Sequence, residues 1–225
     1  MTTIHLAEDY WATYFADGFR FGLGTEDILA GLRELPPTPS WLDLGAGSES
    51  LLWSIGLRPS ALTAADVDPD RLDRLRAYAA EGRPRGAYET ALRLCGRSDD
   101  DWAARCAALT DTRVADCLTG GPLPFDPGTF DLVTQFGLFG LCRDPDHFLS
   151  CWKAATDLIS PGGWFAGANW VTTDATSRSE RVGLTEQLYR DASDAAGITL
   201  TLLRRLRVLG DPDFSHVWLY TGRTP

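Results

Sequence analysis

Positive charge is scarce in this chain, and lysine almost absent: Lys153 is the only one. Lys and Arg together number 21 against 31 Asp and Glu, a formal charge of -10. Such a surface repels phosphate backbones and anionic lipid, so neither nucleic acid nor a membrane is an expected partner. Long apolar runs are missing as well. None reaches the roughly 18 residues that a transmembrane helix needs. The opening MTTIHLAEDYWATYF has neither the basic segment nor the long apolar segment of a secretory leader, so a cytoplasmic location is expected. Cysteines are few: Cys95, Cys106, Cys117, Cys142 and Cys151. Their number is odd and no CxxC occurs, which reads as buried thiols in a reducing compartment. The three histidines lie far apart, so the sequence offers no clustered zinc site. Repeats and low-complexity tracts are also missing.

What remains is a globular composition. Over 225 residues, 44% are hydrophobic and 11% aromatic. A chain of this size buries roughly 70–75% of its unfolded surface and needs no disulfide or metal to do so. From Ser40 onward, apolar runs alternate with helical patterns. Strand candidates are Ser40–Leu44, Ala61–Val67, Thr112–Leu118, Phe130–Phe136 and Trp164–Val171. Two more, Ile198–Leu209 and His216–Thr221, close the chain around Gly210-Asp211-Pro212-Asp213. Helical spacing occurs at Leu51, Leu52 and Ile55, after Asp68-Pro69, around Phe148 to Ile159, and over residues 179–196. This alternation predicts an α/β fold: a single Rossmann-like, doubly wound sheet of about seven strands, mostly parallel, with an antiparallel C-terminal hairpin. One domain over residues 1–225 is the simplest count. Residues 1–38 are expected to form an N-terminal helical cap over the sheet's carboxyl end, and residues 86–110 a helical insert.

Chemistry concentrates at strand ends. Leu42-Asp43-Leu44-Gly45-Ala46-Gly47 closes the first strand. Glycines there let the backbone turn sharply beside a ligand. A plain tight turn is the competing reading. Asp66 ends the second strand, where a carboxylate accepts from both ribose hydroxyls. Asp68 is the better helix cap, which leaves Asp66 without a structural role. Asp116, at the end of the third strand beside Cys117, is placed to accept from an adenine amine. A dinucleotide site prefers GxGxxG around a pyrophosphate. Here the third glycine position is Ser50, and Asp43 and Glu49 would repel that anion. Carboxylates in the turn suit S-adenosylmethionine (SAM), which carries a sulfonium and an ammonium.

With Ser160-Pro161-Gly162-Gly163, these residues resemble the motif series of class I SAM-dependent methyltransferases. The finer pattern is similar to the nicotinamide, phenylethanolamine and indolethylamine N-methyltransferases. That similarity rests on Asp9-Tyr10 with Tyr14-Phe15, the insert from Tyr88 to Leu109, Val114-Ala115-Asp116-Cys117, and Pro122–Pro124 leading to Phe130-Asp131. It implies SAM as cofactor, with S-adenosylhomocysteine as product. It implies that Tyr10 and Phe15 touch the cofactor, and that Gly45, Ala46 and Gly47 pass under its methionine part near Asp43. Asp66 would hold the ribose, and Asp116 with Cys117 the adenine. Two departures stand out. Ser48-Glu49 replaces the family's Pro-Thr, and Asn169-Trp170-Val171-Thr172-Thr173-Asp174 replaces its acidic stretch after the fifth strand.

The acceptor pocket is therefore rebuilt. Tyr14, Phe136, Phe139 and Trp170 are its substrate-binding candidates; Asp213, Asp174, His216 and Asn169 are its catalytic ones. Core packing competes for the aromatics, and turn chemistry for Asp213. Trp152, Trp164 and Trp218 read as core. The expected activity is methyl transfer to a small-molecule acceptor, an amine nitrogen before an oxygen, with the composition pointing to bacterial secondary metabolism. Three readings compete with it. One is cyclisation, intramolecular displacement or elimination on the same fold. Another is a catalytically silent subunit. The more distant third is an NAD-dependent dehydrogenase. A homodimer or partner subunit stays open.

Overall fold

A computed structural model describes residues 18–84, 86–173 and 181–225. The elements run α1 (Thr25–Arg33), β1 (Ser40–Leu44), α2 (Ser50–Gly56), β2 (Ala61–Asp66), α3 (Pro69–Glu81), α4 (Ala87–Cys95), α5 (Asp99–Ala108) and β3 (Leu109–Val114). They continue through β4 (Phe130–Phe136), a 3-10 turn (Phe139–Leu141), α6 (Pro145–Thr156), β5 (Ile159–Thr172), α7 (Glu186–Ala196), β6 (Thr199–Arg207) and β7 (Phe214–Arg223). The seven strands form one sheet in the order β3-β2-β1-β4-β5-β7-β6. Pairing is parallel from β3 to β5. It is antiparallel at β5–β7 and β6–β7. This is the Rossmann-like methyltransferase architecture, in which the chain reverses its direction of winding between β1 and β4 and opens a crevice there.

The central strands are apolar on both faces, as parallel strands between helices must be. In β1, Trp41 enters one core, with Ile28, Leu32, Leu52 and Tyr88, while Leu42 and Leu44 enter the other. The second core is aromatic: Phe139, Phe148, Trp152, Phe165, Tyr189 and Tyr220. β7 alternates in the same way, with Val217 and Leu219 on one face and Trp218 and Tyr220 on the other. The edge strand β6 exposes Arg204, Arg205 and Arg207, charges that discourage a further strand from pairing.

Local signals set several boundaries. Asp68 caps α3, accepting from the Asp70 amide at 3.0 Å, with Pro69 in its first turn and Gly82 left-handed at its end. α5 opens on a capping box between Ser98 and Asp101. Other boundaries differ from expectation. β3 runs Leu109–Val114, earlier than Thr112–Leu118. The Asp116 carboxylate accepts from the Leu118 amide at 2.9 Å, and this turn ends the extended run. β5 begins at Ile159, so Ser160–Gly163 enters an irregular strand instead of only stopping a helix. The helix expected from residue 179 begins at Glu186, where Thr185 caps it by accepting from the Leu188 amide. Of the N-terminal segment, α1 packs on a face of the sheet instead of its carboxyl end. A side chain at Gly31 would meet Leu219 at 3.1 Å. The stretch before it, Phe19 to Leu23, reaches the crevice together with Thr25, the first residue of the helix.

Candidate functional site

A cavity of about 560 Å³ opens at the carboxyl ends of β1, β2, β4 and β5. One wall is polar. The turn after β1 places Gly45 and Gly47 at φ of 64° and 54°, left-handed values open to glycine. A side chain at Gly45 would also meet Leu138 at 2.8 Å. Asp43, pointing in from β1, is buried. It accepts from Ser50 Oγ and Thr134 Oγ1, both at 2.6 Å. Thr134 Oγ1 in turn accepts from Trp41 Nε1 at 2.7 Å. Burial, reinforced by the Asp66 charge, pushes the Asp43 carboxyl up to about 7 against those two hydrogen bonds.

Asp66 is also buried. Its Oδ2 accepts from the Gly47 amide at 2.8 Å and its Oδ1 from the Asp68 amide at 2.9 Å. It thus has the structural role that the sequence did not show: it ties the glycine turn of β1 to the end of β2. Each carboxylate oxygen has two lone pairs, so one on each remains for a ligand. Glu49 completes the wall. Ser48 Oγ donates to it, as does the Tyr88 hydroxyl at 3.4 Å. Burial pushes Glu49 up to about 7, and the neighbouring Arg74 and Arg71 oppose that rise. Three of the turn's amides are spent internally: Ala46 on the Ala65 carbonyl, Gly47 on Asp66, Glu49 on the Ala46 carbonyl.

Beyond Asp66, Val67 is 64% exposed and lines the cavity, as does Leu141 at 46%. Asp116, Cys117 and Leu118 follow from the loop after β3. Asp116 lies past the strand and not at its end. A second part of the lining is aromatic: Phe19, Trp53, Phe136, Trp170 and Phe214. Trp53 and Phe136 stack with ring centres 4.4 Å apart. Trp170 Nε1 donates to the Leu23 carbonyl at 2.9 Å, pinning the Phe19–Leu23 stretch against the cavity.

The structure thus brings Asp43, Gly45, Ala46, Gly47, Asp66, Asp116, Cys117, Phe136 and Trp170 to one cavity. Four other expected residues stand elsewhere. Phe139 is wholly buried among Phe148, Trp152 and Phe165, because the 3-10 turn rotates it into the second core. Asn169 is buried too. Its Nδ2 donates to the Tyr189 hydroxyl at 2.9 Å and its Oδ1 accepts from the Gly140 amide at 3.1 Å, which engages both ends of the amide in the scaffold. His216 lies off the cavity, against Ser215, Arg205 and the edge of Trp218. Asp213 is exposed, and its amide donates to Asp211 Oδ1 at 2.8 Å; Asp211, two residues earlier, is the one that lines the cavity. Tyr10, Tyr14, Phe15 and Asp174 lie outside the described residues.

Sequence reasoning passed over Val67, Leu141, Phe19 and Asp211. Val67 carried a signal: an apolar residue directly between a strand-ending acid and a helix cap. Phe19 and Asp211 carried none, because their place depends on how distant segments meet.

No family model and no curated protein matches the sequence. Solved structures do match it in fold. The N-methyltransferase NodS from Bradyrhizobium japonicum aligns over 89% of this chain and 94% of its own, at 16% identity and a TM-score of 0.58. The 1,6-didemethyltoxoflavin-N1-methyltransferase from Burkholderia thailandensis, solved with its substrate and S-adenosylhomocysteine, aligns over 98% and 83%, at 17% identity and 0.57. A SAM-dependent methyltransferase from Methanosarcina mazei aligns over 87% and 96%, at 11% identity and 0.58. The likeness is one of fold.

Proposed function

We propose that the protein is a SAM-dependent methyltransferase acting on a small molecule, with an amine nitrogen as acceptor. One observation carries this reading. The glycine turn faces the cavity with Asp43, Glu49 and Asp66, while the amides of Ala46, Gly47 and Glu49 are already spent. A phosphate needs free amides and no carboxylates. A ligand with a cationic end and a ribose needs the reverse. SAM fits that donor set, and the cavity lies within the usual range for small-molecule sites, about 300–1,000 Å³. Two of the similar structures, NodS and the toxoflavin enzyme, are solved with S-adenosylhomocysteine.

Asp43 and Glu49 are positioned for the cofactor's ammonium, Asp66 for its ribose hydroxyls, and Val67 with the Asp116–Leu118 loop for its adenine. When bound, SAM supplies a methyl group already activated on a sulfonium. The chain's remaining task is alignment and exclusion of water, which accounts for most of the gain in a bimolecular displacement. Trp53, Phe136, Trp170 and Phe214 form an apolar wall suited to desolvating a neutral amine. Asp211 is the carboxylate on that side. It is positioned to orient an acceptor N–H and to take the proton from the alkylammonium that methylation of a primary or secondary amine forms. A phenol acceptor would demand more of this same carboxylate, namely full deprotonation before attack.

Calorimetry with SAM and S-adenosylhomocysteine tests the reading. Micromolar binding by wild type, weakened at least about tenfold in Asp66→Ala, is expected, since losing a charged anchor costs about 1.5–3 kcal/mol. Absence of binding to folded wild type would sink it.

A further inference from the structure

The histidine spacing suggested no clustered metal site, yet the fold assembles one from residues 142, 147 and 151. Cys142 follows the 3-10 turn; His147 and Cys151 stand four apart on α6 and so share a face. One ligand atom from each, the two Sγ and a ring nitrogen, lies within 4.8 Å of the others. Both thiols are buried and His147 is partly exposed, which leaves one side open for entry. His147 Nε2 bonds the Leu118 carbonyl at 2.7 Å, while Nδ1 accepts from the Arg143 amide at 3.2 Å.

We propose that Cys142, His147 and Cys151 form a binding site for one soft metal ion, Zn²⁺, with a fourth position open to solvent or a loop ligand. Nothing in the methyl-transfer reading uses these groups. Three chemical facts support the assignment. Two thiolates and an imidazole are a soft donor set, selective for zinc over magnesium or calcium. Tetrahedral Zn–S bonds of about 2.3 Å put two sulfurs about 3.8 Å apart, a separation inside the 4.8 Å within which the three ligand atoms lie. A ligating histidine commonly donates its other N–H to a carbonyl, and Nε2–H to Leu118 is that arrangement. Ligation through Nδ1 keeps that bond and displaces only the Arg143 amide, which belongs to an exposed residue and can turn to water.

The balance is simple. Zn²⁺ enters, the two S–H protons leave to solvent, and two thiolates with a neutral imidazole give an uncharged complex. An uncharged complex is tolerable where two buried ligands meet. The ion would clamp α6 to the end of the 3-10 turn, and the His147 bond to the Leu118 carbonyl would tie in the loop after β3. Both run into the cavity wall, at Leu118 and at Leu141.

Chelator-treated, thiol-reduced full-length protein titrated anaerobically with Co²⁺ provides the test. One Co²⁺ per chain is expected, with an intense thiolate-to-metal charge-transfer band that Zn²⁺ displaces. Cys142→Ser and Cys151→Ser should abolish the band, and Cys106→Ser should leave it unchanged. Because the two buried sites risk folding defects, the half-buried His147→Gln serves as a second variant, read with circular dichroism. It should fold and bind more weakly by more than the roughly 10–100-fold that loss of a mere outer-shell partner costs. The proposal is overturned if wild type shows no thiolate band. It is equally overturned if the band survives both cysteine variants, if it moves only with Cys106, or if the pair forms a disulfide on reoxidation but binds no metal when reduced.

Discussion

The two walls of the cavity are built on opposite terms. The polar wall is local and over-determined. Asp43, Gly45, Gly47 and Asp66 come from two adjacent parallel strands, and every carboxylate oxygen of Asp43 and Asp66 already accepts a protein hydrogen bond. The aromatic wall is assembled from a distance. Phe19, Trp53, Phe136, Trp170 and Phe214 arrive from five separate segments, held by stacking and by one indole bond to Leu23. The first wall holds electrostatic energy in reserve. The second holds shape. Substitutions in the polar wall should therefore change affinity for a charged ligand, while substitutions in the aromatic wall should change mobility and acceptor fit.

The largest effect is expected at Asp43. The group is buried and its ionised form is desolvated, so Asp43→Asn removes a strained charge while Ser50 and Thr134 keep a partner. Affinity for SAM should fall about tenfold to a hundredfold, or about 1.4–2.8 kcal/mol. The thermal midpoint of the ligand-free protein at pH 8 should rise. Calorimetry and thermal melting read the two changes. A variant that loses both affinity and stability would show that Asp43 is simply a scaffold acceptor, and the contrast between the walls would collapse.

pH should act next in size, and its sign follows from the raised carboxyls. Asp43 is held at about 7 when folded and lies near 3.8 in its ordinary state. Between those values the folded protein binds the extra proton. Stability from this group is thus complete below the unfolded value and is lost as pH rises through about 7. Glu49 behaves in the same direction. A cationic ligand prefers both groups ionised. The thermal shift produced by SAM should therefore grow between pH 6 and pH 8, even as the ligand-free protein weakens. Equal shifts at both pH values would remove the polar wall from cofactor binding.

Trp170→Phe probes the other wall with a smaller effect. The ring stays and the bond to the Leu23 carbonyl goes. Amide hydrogen exchange in Phe19–Leu23 should accelerate, while the affinity for S-adenosylhomocysteine stays within about twofold, because nothing in the polar wall changes. A tenfold loss of affinity would mean that the two walls are mechanically one.

The difference between the walls also explains what the sequence revealed. The Asp43–Gly47 turn and Asp66 were legible because their chemistry is written within short segments: strand, glycines, acid, cap. The parallel sheet was legible for the same reason, through alternating periods. Phe139 and Asn169 misled because position at a strand's carboxyl end does not fix which way a side chain turns. Three residues of 3-10 turn sent Phe139 into the core, and the Tyr189 hydroxyl drew Asn169 inward. Asp116 misled less. It reached the cavity through a turn of its own making instead of a strand end. The Cys142, His147, Cys151 group was invisible as a cluster. His147 and Cys151 are spaced for one helix face, but nothing local announces that Cys142, in the loop before α6, folds back on it.

The smallest effect is expected where sequence and structure part most clearly, in the final hairpin. There the Asp and His candidates, Asp213 and His216, face away from the cavity, and Asp211 faces it. Turn geometry decides this. The Asp213 amide closes back on Asp211 Oδ1, and of these two acids only Asp211 lines the cavity. His216→Ala should then leave S-adenosylhomocysteine affinity unchanged and move stability by no more than about 0.5 kcal/mol, the usual range for a surface position. Once an acceptor amine is found, Asp211→Asn should raise its KM or lower kcat, and the same change at Asp213 should do neither. A His216 variant with lost turnover but intact folding would place the general base on β7 after all, and would move the reacting end of the cavity from the Asp211 side of the hairpin to its strand.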